Sequence, residues 1–233
     1  MNSKQPLVSV VISVYNDENF ILKSLESIVS QTYKNIEIRI VDDNSTDNTY
    51  TKLLNFKKKH KNLFLYKNEK NIGLTKSLNF LISKSRGDLI ARQDSDDVSS
   101  PDRIEKQVSL MKKHNLDFCG TRSISMQSKR IIPKYSYYIP KNILRYFKNP
   151  FIHGSLVFKK TALEEVGFYN ESFYYAQDYK LIIDLLQKGF KCKVIKEPLY
   201  ILNMSDNISS NYRDKQKYFA DCARKGIFPK ALV

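Results

Sequence analysis

The sequence has no tryptophan, and only three cysteines and three histidines in 233 residues. Cys119, Cys192 and Cys222 show no CxxC spacing. That excludes a disulfide-framed scaffold and a cysteine-rich zinc module, and it points to free thiols in a reducing compartment. His60, His114 and His153 stand apart from one another, so no histidine metal motif is present. Each reads as an ordinary structural histidine, and His153, within Phe151-Ile152-His153-Gly154-Ser155, is the one near a cleft edge. The first apolar run is not followed by GxGxxG, which excludes the dinucleotide fingerprint. There is also no GxxxxGK followed by Ser or Thr and no GxSxG, which removes P-loop nucleotide hydrolases and serine hydrolases of the elbow type. Long apolar runs are lacking too. Met1–Pro6 is mostly polar, Leu7–Val14 is too short for a signal peptide, and nothing approaches the roughly 18 residues of a membrane span. A cytoplasmic location is expected.

Positive charge, by contrast, is abundant: 39 Lys and Arg against 24 Asp and Glu, a net charge of +15. Such a field attracts polyanions. The basic residues are spread along the chain, and no zinc finger, RNP-like strand or basic heptad accompanies them, so a specific nucleic-acid reader is not expected. Phosphorylated ligands and peripheral contact with an anionic membrane remain as partners. With 42% hydrophobic residues, the chain can bury a sizeable core in one α/β domain.

Strand and helix alternate through the first hundred residues. Leu7–Val14, Ile36–Val41, Leu63–Tyr66 and Asp88–Arg92 read as strands. Between them, Asp17–Ser30 (with Asp17 placed to cap it), Thr49–His60 and the Leu74, Leu78, Ile82 stripe read as helices. This order implies βαβ units and a mostly parallel sheet flanked by helices. After the helix Arg103–Lys113 the pattern loosens. Asp117–Gly120, Ser123–Met126, Ser155–Phe158, Lys193–Ile195 and Leu199–Leu202 read as short strands. Pro140–Lys148, Asp178–Lys188 and about Tyr212–Lys225 read as helices.

The candidate chemistry gathers at strand ends. Arg92-Gln93-Asp94-Ser95-Asp96-Asp97 places three carboxylates within four residues, whose repulsion a hard divalent cation such as Mg²⁺ or Mn²⁺ would relieve. Taken alone, the triplet reads equally well as a solvated acidic turn. A second strand ends in Asp42-Asp43, and parallel strands place such ends along one rim, where α/β proteins bind ligands. A third ends in Ser13-Val14-Tyr15-Asn16, where Tyr15 could stack on a flat ring or simply be a loop aromatic. Asp178 opens a helix after Phe173-Tyr174-Tyr175. It reads as a general base or as an acid favoured by the helix dipole.

Together these segments resemble the family 2 inverting glycosyltransferases. The resemblance runs from about Val8 to Leu202 and rests on Val8–Asn16, Ser27–Tyr33, Val41–Asp47, Asn71–Asn79, Asp94-Ser95-Asp96-Asp97 and Pro101-Asp102-Arg103. The Ala91-Arg92 lead-in and Gln107 look most like the branch that builds bacterial exopolysaccharide, capsule and O-antigen chains. The resemblance implies a GT-A fold: one domain, with a nucleotide-sugar-binding half to about residue 100 and an acceptor half over about 101–233. It implies a nucleotide-diphosphate sugar donor, UDP-linked by preference, and a glycan or lipid-linked oligosaccharide acceptor. By the same resemblance, Asp43 meets the nucleobase, with Tyr15 and Ser13 beside it and Lys76 near the base or diphosphate. Asp94 holds the ribose or donor sugar, Asp96 ligates Mn²⁺ or Mg²⁺, and Asp178 is the general base. Arg92, His153, Gly154 and Gln177 are expected to contact donor sugar or acceptor. Two departures stand out: Gln177 replaces the Glu of the family's Glu-Asp pair, and Leu202-Asn203-Met204 lacks the metal-ligating His expected near there. The missing Gln-x-x-Arg-Trp motif argues for a non-processive enzyme. Two rivals remain: a sugar nucleotidyltransferase and a catalytically degenerate nucleotide-sugar binder.

Overall fold

The computed structural model describes residues 5–134, 149, 151–205 and 212–230. Nine described strands form one sheet: β1 (Val8–Val14), β2 (Ile36–Asp42), β3 (Leu63–Lys67), β4 (Leu89–Arg92), β5 (Val98–Ser99), β6 (Phe118–Ser125), β7 (Ile131–Ile132), β8 (Val157–Lys159) and β9 (Cys192–Leu202). Their order is β3-β2-β1-β4-β8-β6-β9-β5, with β7 on β6. β3, β2, β1 and β4 run parallel, so their C-terminal ends share one rim. β8 is antiparallel between β4 and β6, and β9 runs parallel to β6. β8 thereby stitches the regular first half to the looser second half.

β1 and β2 are buried on both faces, as the sequence of Val8–Val14 requires. Their side chains alternate between two cores. Val10, Ile12, Ile38 and Ile40 meet α1 (Ile21–Val29), α2 (Thr49–Lys57) and α4 (Arg103–His114). Val11, Val41 and Ile90 face α3 (Leu74–Lys84), α5 (Lys160–Glu165) and α6 (Gln177–Gln187). A third cluster, Phe173, Ile183 and Phe219 among others, docks α7 (Arg213–Lys225) on α6.

Several sequence expectations need correction. Asp17 does not cap α1 with its side chain; its carbonyl accepts the Phe20 and Ile21 amides, and the helix begins at Ile21. The segments Asp117–Gly120 and Ser123–Met126 form one strand, β6, and Lys193–Ile195 with Leu199–Leu202 form β9. Register shifts around Arg122, opposite Pro198, explain why each looked like two. The helix expected over Pro140–Lys148 lies outside the described residues.

A buried ionic knot ties the sheet on the face opposite α1. Glu37 accepts from Ser9 Oγ (2.6 Å), Arg39 Nε (2.8 Å), the Arg86 amide (2.8 Å) and Arg86 Nε (3.0 Å). Burial alone would raise its carboxyl, but these donors outweigh it and hold it down to about 2. Its folded pKa is depressed, so its stabilisation is present above the unfolded carboxylate range and is lost as pH falls toward 2. Glu37→Gln leaves Arg39 buried without its partner and should cost about 3–5 kcal/mol. Urea unfolding at neutral pH measures this, and the gap from wild type should close on acidification.

Candidate functional site

Four strand ends and the start of α6 converge on the rim. The backbone of β4 runs into Arg92, whose side chain is fully buried although it carries a charge. There Nη2 donates to Asp94 Oδ1 at 2.6 Å, and Nη1 donates to the Val11 carbonyl at 3.2 Å and to the Gln93 carbonyl. Gln93, also buried, holds the acidic loop from inside: Nε2 donates to the Ser24 hydroxyl and to the Asp97 carbonyl, and Oε1 accepts from Ser99. Arg103 lies beneath and is wholly buried with no carboxylate in contact. It donates to Ser99 Oγ (2.7 Å), Gln93 Oε1 and the Arg92 carbonyl, and it stacks on Tyr200. Burial lowers it to about 10, and the nearby Asp94 and Asp97 are among the charges that hold it up.

Above this base the carboxylates crowd. Burial, then Asp94 and Asp17, push Asp96 up to about 7. Burial, Asp94 and Asp96 raise Asp97, while the Asn203 amide (2.7 Å) and the Tyr200 hydroxyl pull the other way. Asp17 is also raised, by burial and by Asp47, and its Oδ2 is buried with no hydrogen-bond partner among the described residues. Protein groups therefore compensate the repulsion only in part. Among the described residues, no group of three or more His, Cys, Asp or Glu is arranged as a metal cage. A hard, partly coordinated cation completed by ligand phosphate and water fits this all-oxygen donor set; a cation needing a closed protein cage does not.

Asp43, at the end of β2, is buried and already engaged. Oδ1 accepts from Asn68 Nδ2 (2.7 Å) and the Ile72 amide (3.0 Å), and Oδ2 accepts from the Gly73 amide (2.8 Å). It thus clamps the turn before α3, where Gly73 adopts a φ of +87° that favours glycine. Oδ1 thereby uses both of its lone pairs, and Oδ2 retains capacity for one further donor. Tyr15 is half exposed, Ser13 is partly buried beside it on β1, and Lys76 is exposed on the first turn of α3. The exposed Tyr174 ring lies over Gly73, at 3.5 Å from where a Cβ would stand. It thereby joins the α6 side of the rim to the Asp43 side.

Asp178 sits in the first turn of α6 and accepts from Asn149 Nδ2 at 2.9 Å. The residue before the helix, Ala176, is held at a φ of +53°, which costs an alanine about 1–2 kcal/mol. Gln216 of α7 accepts the Ala176 amide at 3.1 Å, so the C-terminal helix secures the bend that presents Gln177 and Asp178. His153 begins a short 3-10 turn and is only partly buried. Its Nε2 lies 2.8 Å from the Tyr169 hydroxyl. Burial and Arg92 lower its pKa, with Asp94 and Asp178 acting the other way. His153 thus feels charge from the acidic loop and from Asp178 alike. Gly154 follows under a steric rule: a Cβ there would overlap Tyr200 Oη and Asp94 Oδ2.

Of the sequence candidates, Arg92, Asp94, His153, Gly154 and Asp178 come together, with Asp96 beside them. Asp43, Ser13, Tyr15 and Lys76 mark the other end of the rim. Sequence reading missed Tyr169, Tyr200 and Asn149, which no local motif distinguishes, and the part played by Gln93 within the acidic segment.

A sequence profile described as Glycosyl transferase family 2 matches residues 9–167. EpsE of Bacillus subtilis (strain 168), assigned by name to the glycosyltransferases, is 34% identical over 209 residues, which cover 86% of this chain and 73% of EpsE. WfgD of Escherichia coli, named as a UDP-Glc:alpha-D-GlcNAc-diphosphoundecaprenol beta-1,3-glucosyltransferase, is 29% identical over 222 residues, covering 91% of this chain and 83% of WfgD. Other curated relatives are longer, with this chain spanning 60% of one from Rickettsia typhi. Among solved structures, the Pyrobaculum calidifontis mannosyltransferase PcManGT in complex with GDP-Man and Mn²⁺ superposes with a TM-score of 0.77 at 20% identity, over 97% of this chain and 67% of that one. Staphylococcus aureus TarS 1-349 in complex with UDP-GlcNAc gives 0.76 at 19% identity, over 88% and 61%. These likenesses establish a GT-A fold.

Proposed function

This chain belongs to glycosyltransferase family 2, and on that premise we propose that it is an inverting, non-processive glycosyltransferase. It moves one sugar from a nucleotide-diphosphate donor, UDP-linked by preference, to a hydroxyl of a surface-glycan precursor. The observation that carries the reading is that Asp94, paired to Arg92, lies against Gly154 beside His153, an imidazole on which Asp178 at the start of α6 also acts. Residues to about 100 form the donor half and 101–233 the acceptor half.

Asp178 takes the proton of the acceptor hydroxyl, whose oxygen attacks the anomeric carbon from the face away from the diphosphate. The bond from that carbon to the diphosphate oxygen breaks, the nucleoside diphosphate leaves with the electron pair, and the carbon inverts. Asp94, pinned by Arg92, orients the ribose or sugar, and Asp43 with Tyr15 holds the base end. Mn²⁺ or Mg²⁺, held by Asp96 and the donor phosphates, would neutralise the charge of the leaving group. Gln177 keeps a hydrogen-bonding group where the family has Glu. Without the histidine expected near Asn203, a metal would be held more weakly or would rest on Asp96 and the donor phosphates.

No described helix is long and apolar enough to cross a membrane. The excess of basic charge fits peripheral contact with an anionic face where a lipid-linked acceptor would lie. Thermal-shift measurement against UDP, GDP and their sugars, with and without Mn²⁺, tests the reading. UDP or a UDP-sugar should raise the melting temperature, and more so with Mn²⁺. No shift with any nucleotide would favour a degenerate scaffold, and binding of nucleoside triphosphate with sugar phosphate would favour a nucleotidyltransferase.

A further inference from the structure

Asn79 belongs to the Asn71–Asn79 segment, yet no step above uses it. It faces the second half of the chain and clamps one residue there. Its Oδ1 accepts the Tyr169 amide at 3.0 Å, and its Nδ2 donates to the Tyr169 carbonyl at 2.9 Å. Two opposed hydrogen bonds to one residue fix both position and rotation of that backbone. The Tyr169 side chain, 2% exposed, then reaches inward to His153 Nε2 at 2.8 Å, with the rings edge to face at 5.6 Å. The next residue, Gly154, packs without a side chain against Tyr200 and Asp94. One helix of the donor half therefore sets the orientation of an imidazole in the second half.

What that imidazole meets follows from its neighbours. Arg92, Asp94 and Asp178 all act on it, and it is only partly covered by protein. Tyr169 stays protonated because burial pushes its hydroxyl up, so it can donate to Nε2 and leave the ring proton on the other nitrogen. No hydrogen bond to that nitrogen is made among the described residues. A donor of fixed direction thus stands within the fields of both the acid expected to hold the donor and the expected base. A sugar hydroxyl is a group of matching chemistry.

We infer that His153, oriented by Tyr169 and Asn79, is a specificity residue that reads one hydroxyl of the donor sugar. The inference rests on the glycosyltransferase reading and goes beyond it by locating where sugars are told apart. A site built to pair with a substrate hydroxyl rejects the analogue that lacks or inverts it, because its own polar group is then left unpaired.

The test is binding of UDP, GDP, UDP-glucose, UDP-galactose, UDP-N-acetylglucosamine and GDP-mannose, with Mn²⁺, to folded wild type, His153→Ala, His153→Gln, Tyr169→Phe and Asn79→Ala. Wild type should prefer one sugar over its epimer. His153→Ala should reduce that preference about tenfold or more, with affinity for the free nucleoside diphosphate unchanged within twofold. Tyr169→Phe and Asn79→Ala, as positioning changes, should reduce it by a smaller factor and also spare the free nucleotide. If His153→Ala and His153→Gln keep the preference, or weaken free nucleotide as much as nucleotide sugar, the inference falls and the parent reading stands. If wild type binds no nucleotide, the parent reading falls and takes the inference with it.

Discussion

Asp178→Asn should abolish sugar transfer while leaving donor affinity within about twofold of wild type. Asparagine keeps the size of the side chain and can still accept from Asn149 Nδ2, so the first turn of α6 and the strained Ala176 bend should survive. It removes the group that would accept the acceptor proton. General-base catalysis contributes about 10²- to 10⁴-fold, and the kcat loss should fall in that range. The pair of readouts matters because Asp178 shares His153 with the donor side. A variant that lost donor binding together with turnover would show that Asp178 positions the donor, and the base would have to be sought elsewhere. A residual rate near wild type would favour a degenerate binder. Donor titration by melting temperature, beside a turnover assay with an isolated lipid-linked glycan, separates these outcomes.

Much of this site was legible because four parallel strands carry it. Ser13, Asp43 and Arg92 each stand at or near the end of a strand buried on both faces, so the apolar run and the polar residues that follow it are adjacent in sequence. The second half was harder to read for the same physical reason reversed. β6 and β9 contain a register shift and Pro198, which break the apolar pattern of a continuous ladder. Tyr200 reaches Asp94 across 106 positions, and Asn79 reaches Tyr169 across 90. A tyrosine in a strand and an asparagine on a helix are commonplace, and their roles arise from tertiary contact. His153 is the clearest instance: alone in sequence it reads as structural, and the charges of Arg92, Asp94 and Asp178 that act on it come from distant parts of the chain. Gly73 had a motif around it, but the reason for glycine is the turn clamped by Asp43. Membership of the family was legible from the order of the segments, and the family profile and the GT-A neighbours bear it out.

Asp96→Asn should move stability and function in opposite directions. In the metal-free protein Asp96 is pressed by burial, by Asp94 and by Asp17, and it is raised to about 7. For a carboxyl raised on folding, the unfolded chain ionises first. Stability is then unaffected below pH 4, declines as pH rises toward 7 and stays lowered above it. Neutral asparagine removes that penalty, so the metal-free variant at neutral pH should unfold later by about 1–2 kcal/mol. The gain should vanish at pH 4, which distinguishes relief of repulsion from better packing. With UDP present, the variant should lose the additional stabilisation that Mn²⁺ gives wild type, and turnover should fall at least a hundredfold. Metal-independent nucleotide affinity, which rests on the Asp43 and Tyr15 end of the rim, should persist. A variant that kept its Mn²⁺ response would assign the metal to Asp94 or Asp17, whose buried Oδ2 has no protein partner among the described residues. Burial and like-charge repulsion at Asp96 are the cost that the proposed cation would relieve on binding.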